Sequence, residues 1–219
     1  AHEGATGMPS RRFVSAGGGS EDLSYFVQWR PYLWLRPVAR ALESLGDLTG
    51  KRVLEIGGGP GRMTALMALM GAKVTMIDRV DLAPARQEVD KWGVSDSVRL
   101  VQTQGGLDEL GEEQFDVIHA HDWMTFPAGQ AVAAATGKPL IVHVHSTEYD
   151  RAGLNINQHI YEIERTGMHA AQCVVCVSYF TRETVIVKYG VDAGKLKVVY
   201  NAVAAANNDV SNVPEPIKP

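Results

Sequence analysis

Two kinds of residue in this chain have types and spacings that could do chemistry. The first lie in Val53-Leu54-Glu55-Ile56-Gly57-Gly58-Gly59-Pro60-Gly61, where glycines at i, i+2 and i+4 follow an apolar strand pattern and precede a helical one. Glycine at such places lets the backbone turn tightly and approach a ligand without a Cβ in the way. The spacing is not the G-x-G-x-x-G that seats a pyrophosphate on a helix N-terminus. Glu55 would repel a diphosphate, and suits a ligand that carries an ammonium group and a sulfonium charge. Asp78, where the second strand pattern ends, is a carboxylate able to accept both hydroxyls of a ribose, and Arg79 follows it. A glycine-rich turn that binds nothing is the plainer alternative.

The second kind is histidine. His119-Ala120-His121-Asp122-Trp123 and His143-Val144-His145-Ser146-Thr147-Glu148 hold four of the seven histidines. Residues two apart on a strand share a face, so each pair points one way. Three chemistries compete: rings bonded to backbone groups, a metal site completed by Asp122 or Glu148, and sugar recognition with Trp123 as a stacking surface and His145 beside the reacting centre. His119, His121 and His145 are the candidate bases, since imidazole takes a proton near neutral pH. These short spacings do not by themselves argue for a metal, and none is expected.

The elements that must position these groups read as alternating strands and helices. Apolar, β-branched runs at 52–56, 73–77, 98–102, 115–120, 139–145, 173–178 and 197–200 are the strand candidates. Helical spacing falls at 61–70, 83–92, 127–135, 157–171 and 181–189, with a short turn of helix in 103–114. Fully apolar strands alternating with helices indicate a parallel sheet covered on both faces. Right-handed crossovers then gather every loop that follows a strand at one edge, where such a fold binds its ligands. Ahead of the first strand, Trp29, Tyr32, Trp34 and the helically spaced Val38, Leu42 and Leu45 read as an aromatic helix, with packing the better use and a lid the alternative.

Glu55, the three alternating glycines and Asp78 together resemble the class I methyltransferases that use S-adenosylmethionine, over about 23–118. The resemblance implies that Gly57, Gly59 and Gly61 pack around the methionine and ribose portions and that Asp78 holds the ribose, with Gly58 and Arg79 in the same cofactor set. Glu55 and His119 complete the expected cofactor set with Gln104, which lies where many members carry an acidic residue for the adenine amine. The later series resembles something else. His119 to Trp123, Lys138 to Arg151, Ile163-Glu164-Arg165, Val177-Ser178 and Val198-Val199-Tyr200-Asn201 are similar to the N-terminal domain of glycogen-synthase-like retaining glycosyltransferases, over about 115–203. By that resemblance His145 touches the transferred sugar, and Asp122 with Trp123 lines the acceptor side. Such enzymes hold their donor mainly through a second domain, whereas this chain ends at Pro219 after a linker-like 213–219. Glycosyl transfer by this chain alone is therefore not expected.

The expected architecture is α/β: a single doubly wound Rossmann-like domain over 23–203, its sheet mostly or wholly parallel with about seven strands. A flexible tail is expected at 1–22 and a linker at 204–219, and the two resemblances meet on the strand near 115–118. The chain reads as a hybrid, natural or engineered. Its expected function is binding of S-adenosylmethionine, with weak or no turnover. The alternatives are the acceptor-side half of a glycosyltransferase and an inactive folded scaffold. With 219 residues, 21 Lys and Arg against 25 Asp and Glu, and no long apolar run, neither a nucleic-acid nor a membrane partner is expected. Only Cys173 and Cys176 occur, three apart on a strand and thus on opposite faces, which points to core thiols and a reducing, cytoplasmic setting. The oligomeric state stays open.

Overall fold

The computed structural model describes residues 47–200. Seven strands form one sheet: β1 (Arg52–Ile56), β2 (Lys73–Asp78), β3 (Val98–Gln102), β4 (Val117–His121), β5 (Leu140–Val144), β6 (Cys173–Cys176) and β7 (Leu196–Val198). Their order is β3-β2-β1-β4-β5-β6-β7, and every neighbouring pair is parallel. Helices α1 (Arg62–Leu69), α2 (Ala83–Lys91), α3 (Asp122–Thr136), α4 (Glu148–Ala152), α5 (Gln158–Ala170) and α6 (Tyr179–Tyr189) run between them. The expected doubly wound α/β sheet is what forms, and it is wholly parallel among the described residues. From β1 the chain winds outward to β2 and β3, and from β4 it winds the other way. A crevice must open above the carboxyl ends of β1 and β4, where the winding reverses.

Both faces of the sheet are buried, which is why the strands are apolar throughout. Val53, Val74, Ile141 and Cys173 pack on one face with Met63, Leu66 and Met67 of α1. Leu54, Ile118, Val142 and Cys176 pack on the other with Phe126 of α3, Met168 of α5 and Val185 of α6. The two thiols therefore lie in different cores, as their three-residue offset requires, and both are free. β4 joins the two halves, pairing with β1 from Val53↔Val117 to Ile56↔Ala120 and with β5 from Ile118↔Leu140 to His121↔His143. At the entry to β4, Asp116 accepts the Arg52 N–H (2.9 Å), and this bond holds its carboxyl below the usual range.

Two local differences from expectation have physical causes. Helix α3 begins at Asp122, five residues before the expected start at Pro127, because β4 passes straight into it through Asp122 at φ 56°. Pro127 sits inside α3 and cannot donate a helical hydrogen bond, but the close fit of Gly129 and Phe126 into the core holds the helix there. Helix α4 was not expected. Its start is a capping box: Asp150 N–H donates to Thr147 Oγ1, and Thr147 N–H donates to Asp150 Oδ2 (2.7 Å). The aromatic segment with Trp29, Tyr32 and Trp34, both expected tails and Asn201 lie outside the described residues. No helix among the described residues is long and apolar enough to cross a membrane.

Candidate functional site

The crevice holds a cavity of about 740 Å³ whose walls come from both halves of the chain. Gly57, Gly58 and Gly59 form one side, joined by Asp78, Arg79 and Val80 after β2. His121, Asp122 and Thr125 face them from the end of β4 and the start of α3, with His143 and His145 from β5 and its loop. Thr103, Gly105, Gly106 and Leu107 close the end beyond β3.

The glycines serve different ends. A Cβ on Gly61 would stand 2.9 Å from the Ala85 backbone, so this residue lets α1 and α2 meet. A Cβ on Gly59 would meet nothing within 4 Å, yet its φ of 54° still selects glycine. Of the turn glycines, Gly59 is thus the one that leaves room above the backbone. Its N–H donates to Asp78 Oδ2 (2.8 Å), while Arg79 N–H donates to Oδ1 (2.6 Å) and Val80 N–H reaches the same oxygen at 3.3 Å. A carboxylate has about four acceptor sites, so Asp78 keeps one, on Oδ2. A ligand hydroxyl could approach that site.

Glu55 stands elsewhere than expected. It is fully buried beneath the turn and outside the cavity wall, accepting from Thr64 Oγ1 (2.5 Å) and lying 3.0 Å from His121 Nε2. The first turn of α1 brings Thr64 back over it, so the carboxylate turns inward and cannot touch a ligand directly. Among the other expected residues, Gly61, Gln104, His119 and Trp123 also lie outside the wall, whereas Gly57, Gly58, Gly59, Asp78, Arg79, His121, Asp122 and His145 form part of it. Gln104 is exposed because Thr103 Oγ1 gathers the N–H groups of Gly105 and Gly106 (3.1 Å each) and folds the loop back on itself. That leaves Thr103 and Leu107, not Gln104, beside the cavity.

The four histidines meet as one cluster of rings. Ring centroids are 4.3 Å apart for His119–His121 and for His143–His145, and 5.2 Å for His121–His143. His121 Nδ1 lies 3.2 Å from His145 Nε2, so a line of contacts runs from Glu55 through His121 to His145. If His121 donates from Nε2 to Glu55, its Nδ1 accepts from His145 Nε2–H and the remaining lone pair is His145 Nδ1. Burial holds the His119 and His143 imidazoles well below the usual histidine value, and the neighbouring rings add to the effect. His145 is lowered first by burial and then by His121, with Asp122 pulling the other way. Asp122 Oδ1 also accepts the His145 N–H (2.8 Å), tying the loops after β4 and β5 together. His143 belonged to neither expected site. The signal that could have found it is its register with His121, which is a property of the sheet and not of either segment.

Comparison with known proteins divides the chain in the same way. A methyltransferase domain model matches residues 26–125, and the Glycosyltransferase Family 4 model matches residues 87–206. An uncharacterised glycosyltransferase of Methanocaldococcus jannaschii is 30% identical over 105 residues, covering 47% of this chain and 27% of that protein. The ribosomal protein L11 methyltransferase of Deinococcus radiodurans is 36% identical over 117 residues, covering 47% of this chain and 42% of its own length. The chain thus spans well under half of either relative. Among solved structures, Anabaena HepE in complex with UDP and glucose superposes with a TM-score of 0.52 at 17% identity, over 69% of this chain and 45% of that one, a likeness of fold alone. Both resemblances read from the residues hold, and the models overlap across the stretch that contains the shared strand. With more than half of its length matched by that family's model, the chain belongs to Glycosyltransferase Family 4, and its front part is methyltransferase-like.

Proposed function

We propose that the crevice between β1 and β4 binds S-adenosylmethionine, held by the methyltransferase-like half and faced by residues of the glycosyltransferase-like half. One observation carries this reading: Asp78 and Gly59, from two different strand ends, are bonded to each other at the cavity wall with an acceptor site left on Asp78 and open space above Gly59. The methyltransferase domain match over residues 26–125 supports it, because that match contains both residues. The cavity is of the size that small-molecule sites usually have. In this arrangement Asp78 Oδ2 accepts a ribose hydroxyl, Gly59 allows close approach, and Thr103 and Leu107 border the base. S-adenosylmethionine, when bound, supplies a methyl group on a sulfonium. The chain's own residues position and exchange a proton: His145 Nδ1 is the free base, and His121 with Glu55 behind it fixes which nitrogen that is. Transfer would then rest on holding donor and acceptor in line.

Titration calorimetry with S-adenosylmethionine and with its demethylated product tests the reading. Asp78→Ala should weaken binding about tenfold or more, the loss of a hydrogen bond to a charged group. Gly59→Val, which forces a β-branched residue into left-handed backbone and fills the open space, should abolish it. Unchanged binding in both variants would refute the site. A second reading, the acceptor-side half of a glycosyltransferase, is favoured by the Asp122–His145 clip, in which a non-glycine residue at φ 56° holds the His145 backbone. Binding of a carbohydrate acceptor and of no adenosyl compound would select it, and silence toward both in a folded sample would leave a scaffold.

A further inference from the structure

We propose that His119, His121 and His143 form a site for one divalent transition-metal ion of the zinc class, its fourth position open to the crevice. The proposal does not depend on the S-adenosylmethionine reading, and an ion on His121 Nδ1 would take the lone pair that otherwise faces His145 Nε2. Parallel register builds the site. His119 and His121 are two apart on β4 and share a face, and His143 on β5 is the register partner of His121. The three rings therefore converge from adjacent strands at the carboxyl edge of the sheet.

Two independent observations point to an ion there. One ring nitrogen of each histidine lies within 4.8 Å of the other two. Three atoms so placed always have a common point no farther than about 2.8 Å from each, and a shift of roughly 0.7 Å per ring reaches the zinc–nitrogen distance of about 2.1 Å. Second, His119 and His143 are fully and almost fully buried, yet none of their four ring nitrogens has a hydrogen-bond partner. A buried polar group left in this state has lost its water without gaining a partner, which is costly. A metal coordinated by one nitrogen of each ring would offset that cost.

The surroundings suit the ion. Imidazole is a preferred ligand of zinc, cobalt, nickel and copper. Glu55 Oε1 stands 3.0 Å from His121 Nε2, the place of a carboxylate that holds a ligating ring's second N–H and sets its orientation. His121 and His143 border the cavity while His119 does not, so the ion would have a buried floor and one side facing the crevice. Two histidine pairs that look unrelated in the chain would thus have a common role.

The test uses the full 219-residue chain, freed of metal by chelation and checked for folding by circular dichroism. Zinc titrated by calorimetry should bind at one equivalent, and cobalt should give the visible absorption of a tetrahedral site. His119→Gln and His143→Gln should each weaken zinc binding about 100-fold, while His159→Gln, on the exposed start of α5, should leave it unchanged. X-ray absorption of the zinc-loaded wild-type chain should show three imidazoles, which keeps the proposal testable if a variant fails to fold. A folded chain that binds no zinc would overturn it. So would wild-type affinity in the His119 and His143 variants, or an absorption spectrum with fewer than three imidazoles.

Discussion

Glu55 is the residue on which the site's interior depends, since it receives the Thr64 hydroxyl and faces His121 with no access to water. Its removal strands both partners, and each stranded buried group costs about 1–3 kcal/mol. Glu55→Ala should therefore lower stability to urea by about 3 kcal/mol in chelator, whereas Glu55→Gln, which keeps an acceptor for Thr64, should lose about 1 kcal/mol. Equal losses would show that the carboxylate's charge, and not its volume or the acceptor it offers Thr64, sets the effect. The presence of an acid two residues before the glycines was legible in the chain. Its direction was not, because only the return of α1 over β1 turns the carboxylate inward.

Helix packing separates glycines that look equivalent in the Gly57-x-Gly59-x-Gly61 spacing. Gly61→Ala drives a methyl against the Ala85 backbone at 2.9 Å and adds the strain of φ 76°. Overpacking and left-handed backbone together should cost roughly 2–4 kcal/mol. Gly59→Ala meets only the backbone strain, about 1 kcal/mol, since no atom lies within 4 Å of the added Cβ. Thermal unfolding of the two variants decides this, and the reverse order would place α1 and α2 wrongly. Strand and helix positions were largely readable because their periods are local. The start of α3 was not, since Pro127 lies inside a helix that its contacts with the core maintain.

At the scale of the molecule, two unlike halves share one sheet and one set of cores. One apolar cluster contains Val53 and Val74 from the front together with Ile141, Cys173 and Val199 from the back. The halves should therefore unfold as one unit. Cysteine chemistry provides a probe: burial raises the Cys173 thiol and pushes Cys176 up to about 12, so little reactive thiolate forms in the folded state at mildly alkaline pH. Both cysteines should resist alkylation until urea unfolds the chain, and labelling should follow the loss of circular dichroism in a single transition. Labelling that precedes that transition would show that the back half opens alone. The sequence by itself determined the α/β class, the alternation of elements and the double family resemblance, because these lie in local periodicity and in runs of contiguous residues. The gathering of Glu55 with four histidines, the exclusion of Gln104 and the pairing of Asp78 with Gly59 were decided only by tertiary structure. Each depends on which strands are neighbours and in what register, and that is fixed by crossovers between segments far apart in the chain.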